Sequence, residues 1–197
     1  MPGKPDRLPG SLPVIVLVLA AAIAFEAPAA DVRPMIKVGI DTGGDTLVTA
    51  TFADGSTETI NANQGFYVGG GVSIVNAAKN LELEISLSFK YTTAYGPSSE
   101  LDWTRYPLDA LVFYRWSWLR LGGGLTYHLN PQLKGNGEVS GLTTGFDNAL
   151  GFVLQADYRI TETFTAGVRF TSVDYKASAG PLKATGSGVG ITLGMSF

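Results

Sequence analysis

Between positions 81 and 91 the chain reads LELEISLSFKY, with an apolar or aromatic residue at every odd position and Glu, Ser or Lys at every even one. A period of two puts one set on each face of a β-strand, whereas a helix would scatter the charges around its circumference. The same alternation runs through approximately 35 to 43, 65 to 75, 104 to 116, 119 to 129, 148 to 159, 163 to 175 and 186 to 197, which makes eight predicted strands. Connections between them alternate in length. They are long at 44 to 64, 92 to 103, 130 to 147 and 176 to 185, and short at 76 to 80, 117 to 118 and 160 to 162. The long loops therefore lie at one end of an up-and-down sheet, and the tight turns and both termini at the other.

Strands of this length suit a bilayer crossing of about 9 to 11 tilted residues. Lipid offers no partner for an open sheet edge, so membrane strands must close into a barrel. On the apolar phase, Tyr91, Tyr106, Tyr127 and Phe170 fall toward the long loops, and Tyr114, Trp116, Tyr158 and Phe164 toward the short turns. Two aromatic levels are what the interfacial girdles of a transmembrane barrel require. The expected fold is thus all-β, a transmembrane antiparallel up-and-down barrel of eight strands.

Two features strain this pattern. Pro107 falls inside the fourth segment and cannot donate to a ladder, which predicts a bulge near it. In the first long loop, TLVTATFADGSTETINA over 46 to 62 reads as a hairpin turning at Asp54-Gly55. It either projects above the membrane, the reading we adopt, or adds two strands to make ten.

The amino-terminal segment does not belong to this pattern. Lys4 and Arg7 precede an uncharged apolar run over 14 to 25, and Ala27-Pro28-Ala29 has the small-x-small form of a signal-peptidase site. We read 1–29 as a cleaved signal peptide and 30–197 as the barrel domain. The run is too short for a spanning helix of about 20 residues. Signal, girdles and loop lengths together place the chain in a bacterial outer membrane, with long loops extracellular and termini periplasmic.

Composition narrows the chemistry. A net charge of -3 with 16% charged residues gives nucleic acid no reason to bind. The absence of Cys removes disulfides, thiolate metal sites and cysteine nucleophiles. Nothing in the sequence suggests a cofactor or a metal site.

The eight alternating segments, and the ending Val189, Ile191, Leu193, Met195, Phe197, resemble the small outer-membrane β-barrel superfamily that includes the OmpA transmembrane domain, OmpX and OmpW. In that superfamily a terminal aromatic preceded by alternate apolar residues looks like the signal read by the barrel-assembly machinery. The resemblance thus implies that Leu193, Met195 and Phe197 form the assembly signal. Met195 stands where Tyr is often found. The implied partners are outer-membrane lipid, lipopolysaccharide and that machinery, with the barrel acting as a monomer.

The polar phase must then face the lumen. It carries Lys37, Asp41, Glu82, Glu84, Lys90, Arg105, Asp109, Arg115, Arg120, Asp157 and Arg169, six basic and five acidic side chains. An eight-stranded interior is just wide enough for side chains to fill, so these charges must pair or meet water. Strand direction sorts them by height. Glu82, Glu84, Arg115, Arg120 and Asp157 should form one ion-pair cluster at the periplasmic half, and Asp41, Lys90, Arg105 and Asp109 a smaller set above it. Inward glycines, among them Gly39, Gly122, Gly167 and Gly190, should make room for the long side chains.

Catalytic candidates are few. His128 is the one histidine, on the inward phase, and Asn130 stands two residues away where a lipid-modifying site would want a Ser. We read it as a hydrogen-bonding residue of rim or lumen. Asp45, Asp54, Glu58, Glu100 and Asp102 are acidic residues expected in loops, where divalent ions bridging lipopolysaccharide could meet them, and Lys176 and Lys183 could touch lipid phosphates. The expected role is non-enzymatic, in envelope integrity or surface interaction, with the lumen plugged by ion pairs. The alternatives are a channel for small solutes or hydrophobic compounds and, third, a lipid-modifying enzyme.

Overall fold

A computed structural model describes residues 30–197 except 52–54, 56, 97 and 138. The proposed signal peptide and Asp54 lie outside the described residues. Eight strands close the wall: β1 (Asp31–Gly43), β4 (Gly65–Val75), β5 (Leu81–Tyr95), β6 (Ser99–Arg115), β7 (Leu119–Gly137), β9 (Ala149–Arg159), β10 (Phe164–Lys176) and β12 (Gly188–Ser196). Each pairs antiparallel with the next, and β12 returns to β1 in a register running from Met35↔Ser196 to Gly43↔Gly188. No spanning edge is left open, which satisfies every wall strand inside the bilayer.

Four shorter strands lie outside the closed ring. β2 (Thr46–Thr51) and β3 (Thr57–Asn61) pair with each other in a separate two-stranded sheet. The hairpin therefore does not enlarge the barrel to ten strands. β8 (Thr143–Gly145) adds to the upper part of β7, and β11 (Lys183–Thr185) to the upper part of β10.

Outward residues carry the apolar comb. Ile36, Ile40, Val68, Leu87, Leu154, Val168 and Ile191 are exposed around the waist of the barrel. The aromatic levels are built as contacting pairs: Phe89 with Tyr91 and Tyr106 on one level, Tyr114 with Trp116 and Trp118 with Tyr158 on the other.

The strands extend further than the apolar comb does. The expected long loop at 92 to 103 is largely strand, because β5 and β6 stay paired up to Tyr95↔Glu100, and β7 follows β6 to Ser99↔Gly137. In this upper section the alternation persists but its phase inverts. On β6, Leu101 and Trp103 are buried inward while Glu100 faces water and Asp102 and Thr104 lie half-buried on the outer face. On β10, Val173 and Tyr175 are buried, and Asp174 and Lys176 are exposed. Once the outside of the wall is water instead of lipid, the apolar set belongs within.

Pro107 produces two local irregularities. The β5–β6 register passes from Leu87↔Leu108 to Lys90↔Arg105, leaving Ser88 and Phe89 without ladder partners opposite Tyr106 and Pro107. On the other side Pro107 stays in register with His128, and the bulge sits just above, between Thr104 and Tyr106, where Asn130 of β7 adopts φ 46°. Asn tolerates this left-handed conformation better than most residues do.

Candidate functional site: a lumen filled in tiers

The periplasmic tier is an ion-pair network centred on Arg120. The first residue pair of β6 and β7 above their short turn is Arg115↔Arg120, which places both guanidinium groups low in the lumen. Arg120 reaches Glu82 at 2.7 Å, Glu84 at 2.5 Å and Asp157 at 2.8 Å. Arg115 approaches Glu82 at 3.3 Å, and Lys37 of β1 lies 3.2 Å from Glu84. Ser73 Oγ donates to Glu82, and Gln155 Nε2 to Asp157. Three carboxylates around one guanidinium, backed by further donors, is the form in which buried charge is tolerated.

An apolar layer of Leu111, Phe113 and Val153 sits above the network, all three fully buried. The Arg120 guanidinium stacks over the Phe113 ring, 4.3 Å from its centroid, and so joins the two tiers. Glycines make this packing possible. A Cβ at Gly122 would meet the Phe113 ring, and one at Gly167 or Gly190 the carboxylates of Asp157 or Asp41. The cleared space thus serves an aromatic ring as well as charged groups.

The upper polar tier holds two pairs, Lys90 with Asp41 at 2.5 Å and Arg169 with Asp109 at 3.3 Å. Arg105 corrects the sequence reading, because it joins no carboxylate among the described residues. Asp41 is engaged by Lys90 and Asp109 by Arg169, so its Nη2 donates instead to the carbonyl oxygens of Asn63, at 2.9 Å, and Gln64, at 2.7 Å. His128 is buried and inward, with Nδ1 2.5 Å from the Tyr175 hydroxyl.

An apolar cap closes the extracellular end. Leu101, Trp103, Leu133, Phe146 and Tyr175 line the wall, and Ile60 and Ala62 enter from the hairpin side with Leu47 and Val48 packed behind them. Trp103 meets Phe146 and Tyr175 edge to face, with centroids 5.2 and 5.4 Å apart. Its Nε1 donates to the Ala62 carbonyl at 3.0 Å. Asn63 at the foot of the hairpin accepts from Lys90 and donates to the Thr42 carbonyl. The hairpin thus projects from the membrane strands yet folds back over the mouth.

Lumenal voids are small. One of about 20 Å³ opens among Glu82, Glu84, Arg115 and Arg120, and one of about 10 Å³ among Asp41, Lys90, Asp109, His128 and Arg169. Each has room for about one water. A larger open concavity, about 1080 Å³, has its apolar lining on Ile40, Phe66, Leu121, Leu154, Val168 and Ile191, which face lipid.

The remaining candidates occupy the rim. Asp45 accepts from the Thr185 backbone at 2.8 Å, which ties the hairpin base to β11. Glu58 is exposed on β3. Glu100 and Asp102 belong to β6, not to a loop, and Asp102 accepts from Thr93 and Asn136. Lys176 and Lys183 stand opposite each other on β10 and β11. Leu193, Met195 and Phe197 lie on the outward face of the last strand, where the Phe197 N–H donates to the Pro34 carbonyl. The apolar cap and the role of Asn63 escaped the sequence reading; the signal available was the phase inversion along 99 to 104.

A closed ring of amphipathic strands with lipid-facing girdles defines a transmembrane β-barrel. The chain belongs to the family of the outer membrane protein beta-barrel domain, whose pattern matches residues 15–197, and it resides in the bacterial outer membrane. Among curated proteins nothing matches the sequence. The fold is shared with Ail, the attachment invasion locus protein of Yersinia pestis, solved with the heparin analogue sucrose octasulfate. The likeness has a TM-score of 0.55 at 10% identity and covers 85% of this chain and 97% of that one. Neisserial surface protein A gives 0.48 at 11% over 85% and 99%. AlkL, solved by solid-state NMR in DMPC bilayers, gives 0.40 at 12% over 100% and 96%.

Proposed function

We propose that this protein is a sealed, non-enzymatic barrel that contributes to envelope integrity and presents its extracellular cap as a surface for interaction. The supporting observation is the stacking of tiers in the lumen. Ion pairs, an apolar layer, a second polar tier and an apolar cap follow one another, with voids of about 20 and 10 Å³ between their side chains. An aqueous pathway would need a continuous polar passage, and two of these tiers are apolar. The non-enzymatic reading draws on His128, which faces inward, is buried, and is engaged by Tyr175. A base acting on lipid would have to reach the outer surface.

Its partners in this reading are outer-membrane lipid and lipopolysaccharide around the girdles, and the barrel-assembly machinery at Leu193, Met195 and Phe197, with the barrel working as a monomer. Planar-bilayer recording of the reconstituted protein tests the seal. Wild-type protein should give no steady conductance. A steady single-channel current would overturn the reading in favour of a solute channel.

A further inference from the structure

We propose that the β2–β3 hairpin covers a binding site for an amphiphilic anion, a carboxylate with a long apolar body, entered from outside the cell. The site is the cup beneath the hairpin. Its wall is Leu101, Trp103, Leu133, Phe146, Val173 and Tyr175, and its floor is the guanidinium of Arg105.

Arg105 is the reason to expect an anion. It is 0% exposed, lies 5.0 Å from the Trp103 ring centroid, and is the upper-tier cation left over after Lys90 takes Asp41 and Arg169 takes Asp109. Among the described residues its Nε and Nη1 have no hydrogen-bond partner, with the Tyr175 hydroxyl close by, and its Nη2 is held by two adjacent carbonyl oxygens, those of Asn63 and Gln64. The two carbonyls thus occupy one nitrogen of the fork, and the other two are open to the oxygens of a carboxylate. Neutral carbonyls satisfy a buried guanidinium less well than a carboxylate does, since bidentate charged pairs are the strong ones.

The apolar body follows from the walls and from what now fills them. Ile60 and Ala62 of the hairpin occupy the cup as an apolar plug, with the polar Asn63-Gln64 carbonyls at its tip on Arg105. The hairpin itself therefore has the shape of the ligand proposed: apolar above, oxygen acceptors below. For the ligand to enter, the hairpin must lift off Trp103, Lys90 and the Asp45–Thr185 tie at its base. Among the described residues β2 and β3 join no wall ladder, and the segment is bounded by Gly43 at φ 99°, Gly44 at φ 85° and Gly65 at φ 151°, conformations that favour glycine. The barrel can remain sealed while this happens, because the Leu111, Phe113 and Val153 layer and the Arg120 network lie below the cup.

Tryptophan fluorescence reads the site directly. The chain has three tryptophans, and Trp116 and Trp118 are on the lipid face, so a W116F/W118F protein in nanodiscs reports from the cup alone. The probes are 2-bromododecanoate and 2-bromododecan-1-ol, whose bromine sits next to the polar head and so lies beside Trp103, quenching it on contact, when that head is on Arg105. The acid should quench at about tenfold lower concentration than the alcohol, the worth of a charge-assisted hydrogen bond. Arg105→Gln, checked for folded migration on unheated gels, should abolish that preference. Ile60→Ser, which loosens the hairpin, should strengthen quenching by the acid. Equal quenching by acid and alcohol in the W116F/W118F protein overturns the proposal whatever the variants do, as does an acid preference that survives in folded Arg105→Gln. Neither outcome bears on the conductance test of the seal.

Discussion

The lower and upper halves of this barrel solve opposite problems with one strand geometry. Below, lipid surrounds the wall, so apolar residues face out and charge is driven into the lumen. There it must neutralise itself, which Arg120, Arg115 and Lys37 do with Glu82, Glu84 and Asp157. Above, water surrounds the wall, so Asp174 and Lys176 face out and Trp103, Phe146 and Tyr175 collect inside. The lower interior is held by electrostatics that tolerate little loss, since removing one partner leaves buried charge uncompensated. Packing holds the upper interior, and part of it comes from a hairpin outside the ring. Rigidity should therefore concentrate below and mobility above.

The sharpest way to break the comparison is Arg120→Ala. Leaving Asp157 without a cation, and Glu82 and Glu84 with Arg115 and Lys37 alone, should cost about 3 to 5 kcal/mol in urea unfolding of the lipid-reconstituted barrel. A loss below about 1 kcal/mol would mean that water already solvates the lower tier.

A second test sets two positions of one strand against each other. Val168→Arg places a charge on the lipid-facing side of β10 and should cost about 2 to 4 kcal/mol. Asp174→Arg, six residues higher on the same face, should stay within about 0.5 kcal/mol, as exposed substitutions do. Equal penalties would remove the phase boundary.

Smaller effects sharpen the picture of the cap. Asn63→Ala should cost about 1 kcal/mol and raise amide exchange in β2 and β3 without changing exchange in the lower strands. Phe197→Ala should slow assembly into the outer membrane while shifting the unfolding midpoint of the purified barrel least of all. A fall in midpoint matching that of Asn63→Ala would make Phe197 a packing residue and not an assembly signal.

The site was legible in proportion to how far it depends on strand direction alone. Glu82, Glu84, Arg115, Arg120 and Asp157 could be placed at one height because each lies next to a short turn, and the short turns share one end. The partner of Lys37 could not be read this way, because Lys37↔Gly69 and Gly71↔Ser86 are registers across three strands, fixed only when the barrel closes. Arg105 shows the same limit. Its phase said inward, but which carboxylates remained for it depended on Lys90 and Arg169 reaching theirs first. The upper strands look like loops on a single apolar phase, because the apolar residues of β6 change face between Trp103 and Tyr106.

By itself the sequence determined the eight amphipathic segments, the closed topology, the lipid-facing side and the compartment, because period-two alternation and loop lengths are local properties that survive any choice of register; that the hairpin adds no wall strands was settled by its pairing. Tertiary structure alone decided that the hairpin folds inward over the mouth, that Asn63 and Gln64 serve Arg105, and that the lumen is layered. Those outcomes rest on contacts between residues about forty positions apart, such as Trp103 with Ala62, and such contacts exist only once the ring has brought distant strands to the same height.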